Sequence, residues 1–166
     1  MQVNFYGPMQ MINAVLPSMR KQNSGKIINI TSIAGYMGLP YRGIYSSSKA
    51  AIHLLTEAYR MEVTQFGIQM CNVAPGDFAT NIAAGRYHAP VKPESPYREV
   101  YQKSLDMMNE HVDDGGDPKE MAEAIYKILQ KSKWKVSYKV GSPLQKFSTF
   151  LKGILTDTRY EKMLKN

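Results

Sequence analysis

Two short apolar runs constrain this chain more than any other feature: Lys26-Ile27-Ile28-Asn29-Ile30-Thr31 and Ile68-Gln69-Met70-Cys71-Asn72-Val73. Turn formers bound them, Asn23-Ser24-Gly25 before the first, Gly67 before the second and Pro75-Gly76 after it. Runs of that kind are buried strands. Between them, from about Tyr45 to Gln65, lies one long helical pattern with Ala50, Ala51, Leu54, Leu55, Ala58 and Met61 as its expected core stripe. A helix joining two strands is the connection that a parallel pair requires. An earlier helix, residues 3–20, carries Met9, Met11, Ile12, Val15, Leu16 and Met19 on a broad apolar face, with Pro8 and Pro17 expected to bend its ends. The order helix, strand, helix, strand predicts an α/β fold: a partial doubly wound, Rossmann-like parallel sheet with flanking helices.

The second half continues in the same grammar. Residues 82–116 mix Pro90, Pro93 and Pro96 with tyrosines and charges, which predicts a loop with one helix near Tyr97 to His111. Asp117-Pro118 with Glu120 signals a helix start. Lys135 to Val140 reads as a last strand and Leu144 to Leu155 as an amphipathic tail helix. The chain is thus expected to be one unit over 1–166, with a substrate-binding loop at 82–116 and an amphipathic tail at 143–166.

Composition narrows the function. With 166 residues and 43% hydrophobic content there is material for one core, not two. The net charge is +7, but the lysines of the last third alternate with apolar residues instead of forming a block, the pattern of a solvated face and not of a nucleic-acid surface. The one cysteine, Cys71, excludes an internal disulfide, fits a reducing cytosol and, within its apolar run, is expected to be a buried thiol. His53, His88 and His111 lack metal-ligand spacing, so no metal is expected. No run reaches the roughly 18 apolar residues of a membrane span, and no secretory leader is recognisable. A cytoplasmic location is the expectation.

The candidate chemistry lies where such a sheet places its site, at the carboxyl ends of the strands and the helix starts beside them. Ser32 follows the first strand, and Tyr45 and Lys49 stand four apart on one helical face. A tyrosine near its ordinary pKa of about 10 is a poor acid or base at neutral pH, and a lysine one turn away favours its phenolate. A serine hydroxyl can hold a substrate oxygen while the tyrosine gives or takes a proton. Such a set suits proton movement on an alcohol or carbonyl. Ser46-x-x-Lys49 with Lys139-Val140-Gly141 offers a second, acyl-transfer reading, but its Ser-x-Asn element is missing.

Three segments taken together, Ile28-Asn29-Ile30-Thr31-Ser32-Ile33-Ala34-Gly35, Tyr45-Ser46-Ser47-Ser48-Lys49-Ala50-Ala51 and Asn72-Val73-Ala74-Pro75-Gly76-Asp77-Phe78-Ala79-Thr80, closely resemble the short-chain dehydrogenase/reductase family. Ser32 and Tyr45 are thirteen apart, as in that family, and Val3-Asn4 with Gly7 resembles its catalytic asparagine motif. The resemblance implies hydride transfer between NAD or NADP and a small lipophilic carbonyl or alcohol. It gives Tyr45 as acid/base, Lys49 as the group that favours its phenolate and holds the nicotinamide ribose, Ser32 as the substrate-oxygen anchor, and Asn4 as the anchor of a relay water. Pro75, Gly76 and Thr80 would contact the nicotinamide. Thr31 competes with Ser32 but stands fourteen from Tyr45.

The resemblance also implies a homodimer or tetramer built through helices 3–20 and 45–65. The family's Gly-rich phosphate turn and Asn-Ala-Gly motif are absent from these 166 residues, so the cofactor-binding front half is expected to be missing and the chain alone to be inactive. The alternative is a truncated remnant serving only as a dimerisation or interaction module. For the tail, docking on the domain is the expectation, with an interfacial helix on an anionic membrane as the alternative.

Overall fold

The computed structural model describes residues 1–81 and 85–165. Three strands, β1 (Gly25–Ile30), β2 (Ile68–Pro75) and β3 (Ser137–Val140), form one parallel sheet in the order β1-β2-β3. Ile30 stands opposite Val73, and Pro75 opposite Val140, so the carboxyl ends of all three strands fall at one edge. A wide turn at Gln2–Tyr6 leads into α1 (Gly7–Gln22); α2 (Gly43–Val63) joins β1 to β2. After β2 come α3 (Arg98–Asp113) and α4 (Pro118–Leu129), and after β3 the tail helices α5 (Pro143–Ile154) and α6 (Asp157–Lys165).

The alternation of β2 explains the layers. Ile68 and Met70 pack with Ile12 and Leu16 of α1 and Ile52 and Val63 of α2. Cys71 and Val73 point the other way, into Ile128 of α4 and Trp134. Successive side chains of a strand alternate between faces, so a strand with apolar side chains on both faces must be covered twice. The α/β fold with a parallel sheet and helices on both faces is as the sequence predicts.

The helices differ from expectation in detail. Pro8 sits in the first turn of α1, where its missing N–H costs nothing, and Pro17 lies inside the helix without ending it. Leu54 and Met61, expected in the core of α2, are 65% and 75% exposed. The face turned to the sheet is instead Ser48, Ile52, Thr56 and Val63. Two of these four are hydroxylated, so an apolar-periodicity reading misses them, whereas Leu55 of the expected stripe does pack against the core. Met11 of α1 is exposed for a related reason: Ile12 and Leu16 already fill the contact.

In the second half, Asp117 caps α4, its Oδ1 accepting from the Lys119 N–H at 2.8 Å, with Pro118 at the first position. Ser142 and Gln145 form a reciprocal capping box at the start of α5. The tail docks on the domain, Leu151 and Leu155 packing with Tyr160 against Ile33 and Met37. The expected stripe is divided, however: Leu144, Phe147, Phe150 and Ile154 remain exposed. The separate helix α6 carries no strong signal in the sequence. No helix among the described residues is long and apolar enough to cross a membrane.

Candidate active site

The long helix α2 is fixed over the sheet by polar bonds as well as apolar contact. Asn29 of β1 donates from Nδ2 to Thr56 Oγ1 at 2.8 Å, and Thr56 donates in turn to the Ile52 carbonyl at 2.7 Å. Asn72 of β2 donates to the His53 carbonyl at 3.1 Å. Near the far end of α2, Arg60 reaches the carbonyls of Met70 at 2.5 Å and Trp134 at 2.6 Å. Buried hydrogen bonds are directional where apolar packing is not, so these bonds set the height and rotation of α2 and therefore where Tyr45 and Lys49 emerge.

Ser32 opens the short turn Ile33–Tyr36, its backbone extended and its Oγ accepting the Ala34 N–H at 3.1 Å. Thr31, beside it, is buried and donates to the Val73 carbonyl at 3.2 Å, facing the sheet and not the cleft. The turn lies close on α2: a Cβ added at Gly35 would sit 3.0 Å from the Lys49 carbonyl carbon. Only glycine permits that approach, and it brings the Ser32 turn against the first turns of α2.

A cleft of about 780 Å³ opens above the carboxyl ends of the strands. Ser32, Tyr45, Pro75, Gly76 and Thr80 all line it. Lys49 and Asn4 are not among its lining residues. Lys49 Nζ donates to the Ile30 carbonyl at 3.1 Å and lies 6.0 Å from the centre of the Tyr45 ring, and burial pushes its ammonium below the ordinary lysine range. Asn4 donates to Ser48 Oγ at 3.2 Å, and Ser48 donates to the Tyr45 carbonyl at 2.7 Å, which ties the turn before α1 to the N-terminal end of α2. Ser46 is buried away from the cleft lining, out of reach of any acyl donor.

The segment after β2 is held from two sides. Gly76 N–H donates to the Val140 carbonyl at 2.7 Å. Phe78 bridges to Gly116, whose N–H donates to the Asp77 carbonyl and whose carbonyl accepts from Ala79. Gly115 and Gly116, without a role in the sequence reading, thus seat the 77–79 backbone: a Cβ at Gly115 would fall 2.7 Å from Phe78 carbonyl carbon. Of the expected loop 82–116, residues 82–84 lie outside those described; Arg86, Tyr87, His88, Tyr101, Leu105 and Met108 beyond them form one wall of the cleft.

Sequence reasoning missed Arg42, Asp77, Arg86 and Gln145, which also line the cleft. Arg42 stands one turn before Tyr45, a spacing that could have flagged it. Arg86 and Gln145 arrive by tertiary folding alone and leave no local signal.

A family model described as short chain dehydrogenase matches residues 1–90. The chain is 37% identical over 166 residues to a 3-ketodihydrosphingosine reductase of Bacteroides thetaiotaomicron, covering 99% of this chain and 62% of that protein. It is 30% identical over 168 residues to an uncharacterized oxidoreductase of Bacillus subtilis, covering 99% and 60%. The crystal structure of a short-chain dehydrogenase from Streptomyces avermitilis superposes with a TM-score of 0.73 at 32% identity, over 97% of this chain and 57% of that one. The chain therefore spans about three-fifths of the length of the relatives it matches. The matched residues hold the Ser32 turn, Tyr45, Lys49 and the segment after β2, and on that agreement of sequence and fold the chain belongs to the short-chain dehydrogenase/reductase family of oxidoreductases.

Proposed function

We propose that this chain forms the catalytic end of an NAD- or NADP-dependent oxidoreductase that interconverts a lipophilic carbonyl compound and its alcohol. The observation that carries the reading is the cleft itself: Ser32, Tyr45, Pro75, Gly76 and Thr80, drawn from three separate segments, line one cavity at the carboxyl ends of the strands.

The donor set fits the nicotinamide end of a dinucleotide. Lys49 uses one of its three N–H donors on the Ile30 carbonyl, and the other two have no partner among the described residues, which suits a ribose diol. Pro75, Gly76 and Thr80 would lie along the nicotinamide. The bound cofactor supplies or accepts the hydride. In the reducing direction Ser32 Oγ holds the substrate oxygen, Tyr45 Oη transfers its proton to that oxygen, and the lost proton is restored through solvent. The Lys49 ammonium offsets the negative charge left on the ring oxygen. Asn4, through Ser48, positions the start of α2, and is the residue we assign to anchoring a relay water.

The 166 residues contain no Gly-rich phosphate turn, so we assign the pyrophosphate and adenosine contacts to residues other than these and expect the isolated chain to be inactive. Residues 85–116 act as the substrate-selecting wall. Exposed Leu54 and Met61 on α2 and Met11 on α1 supply the apolar surface for a homodimer or tetramer of a cytosolic enzyme. The test is Tyr45→Phe in the full-length protein: it keeps the ring and removes the proton, and should lower kcat by at least about 100-fold, the lower range of general-acid contributions. Full turnover in that variant overturns the reading.

A further inference from the structure

We infer that Arg42 and Arg86 form an anion-binding end of the cleft, so that the substrate is an apolar ketone or alcohol carrying a carboxylate or similar oxyanion. The inference rests on the reading of Ser32 and Tyr45 given above and names the substrate class of that site.

Both arginines line the cavity, and each has a buried nitrogen without a hydrogen-bond partner among the described residues: Nε of Arg42 and Nη1 of Arg86. A buried guanidinium donor left unpaired is costly, and two guanidinium groups in the wall of one cavity can serve an anionic ligand there. Among the described residues no side-chain acceptor bonds either of these nitrogens. Asp77 is the one carboxylate among the described lining residues, and its Oδ2 already accepts from Gln145 Nε2 at 2.7 Å. Neither arginine makes an ion pair among the described residues. Burial pushes Arg42 below the ordinary arginine range; the Asp77 carboxylate supports its charge, and Arg86 opposes it more weakly. An oxyanion at this wall would offset the burial of the two charges and give them an acceptor, for which the planar guanidinium fork has the right shape.

Position selects the substrate as the source of that anion. Arg42 is the residue that precedes α2 and lies one turn before Tyr45, so its head group sits beside the proton donor. Its guanidinium cannot accept from the first N–H groups of α2, which lack a side-chain cap and add to the positive field there. The remaining walls, among them Ile44, Leu105, Met108 and Val112, are apolar and suit a hydrocarbon body. The site thus fits an amphiphile held at its charged end.

The test uses the full-length protein and a matched pair, an apolar keto acid and its methyl ester, with NADH and NADPH. The wild-type protein should favour the acid, and Arg42→Gln and Arg86→Gln should each lower the acid-to-ester ratio of kcat/KM by about 30-fold or more, as loss of one member of a buried charge pair does. Arg42→Lys, which keeps the charge without the fork, should fall between and guards against a folding artefact. An ester preference in the wild type, or a ratio unmoved by both glutamine variants, overturns the inference while leaving the oxidoreductase reading intact. A rise in cofactor KM with the ratio preserved also overturns it, since the anion would then be a cofactor phosphate. Should no carbonyl or alcohol be turned over, the oxidoreductase reading itself fails, and decanoate then decides the site: a rise in Tm lost in Arg42→Gln supports it, and no rise overturns it.

Discussion

Replacing Thr56 by valine probes how α2 is held over the sheet. The two side chains occupy nearly the same volume, so Thr56→Val opens no cavity in a position that is wholly buried. What it removes is the hydroxyl that accepts from Asn29 Nδ2 and donates to the Ile52 carbonyl. The Ile52 carbonyl lies inside α2, where its helical bond is independent of the hydroxyl, but the Asn29 amide on β1 is left buried and unpaired. That orphan should cost about 1–3 kcal/mol. With a urea dependence of about 1–3 kcal/mol per molar, the midpoint should fall by roughly 1 M with an unchanged slope. Thr56→Ser keeps both bonds and loses one methyl group, for a cost near 1 kcal/mol. Adding Asn29→Leu to Thr56→Val removes the orphan and should recover at least half of the loss, because apolar replacement of both partners is far cheaper than removal of one. Urea unfolding of the purified protein followed by circular dichroism measures all four. A Thr56→Val protein as stable as wild type, or costs that simply add in the double variant, would refute the claim that this bond registers α2 on β1.

Four further outcomes concern other parts of the molecule. Cys71 is fully buried and its thiol is pushed up to about 11, so a disulfide reagent at pH 8 should leave the native protein unlabelled and react only after unfolding. Because the folded thiol holds its proton above the ordinary value of 9.0, stability should fall as pH rises from about 9 to 11, and Cys71→Ala should flatten that part of the profile in urea titrations. Gly35→Ala brings a Cβ to 3.0 Å from the Lys49 backbone and should cost about 1–3 kcal/mol while lowering kcat more than it raises KM, a split that steady-state kinetics reads directly. Isothermal titration of the isolated 166 residues with NADH and NADPH should show no micromolar binding, since no Gly-rich turn is present to receive the pyrophosphate.

The sheet was legible because β2 is apolar at nearly every position, a pattern that leaves no face for solvent and so demands helices on both sides. Ser32, Tyr45 and Lys49 were legible because their spacing is local: a strand end, a helix start, one helical turn. The buried face of α2 was not, since Ser48 and Thr56 bury hydroxyls that are satisfied by Asn4 and the Tyr45 carbonyl and by Asn29 of β1 and the Ile52 carbonyl, which a pattern of apolar residues cannot register. Nor was the full wall of the cleft. Arg86 and Gln145 reach it from 41 and 100 positions beyond Tyr45 in sequence, brought in only when α5 docks and the segment after β2 closes over the strands. The role of Gly115 and Gly116 was hidden for the same reason, because the backbone they accommodate belongs to residues 77–79.

If Tyr45 protonates the substrate oxygen as a hydride arrives at the adjoining carbon, deuterium transfer from the cofactor will show it. The full-length protein is given reduced nicotinamide cofactor carrying deuterium at both C4 positions, together with an apolar ketone found by screening for cofactor oxidation. The wild-type protein should place deuterium on the carbinol carbon of the product in a single turnover. Tyr45→Phe should bind the same cofactor and form at most about one-hundredth as much labelled alcohol in the same time. Product without deuterium, or equal label from the Tyr45→Phe protein, would contradict the account.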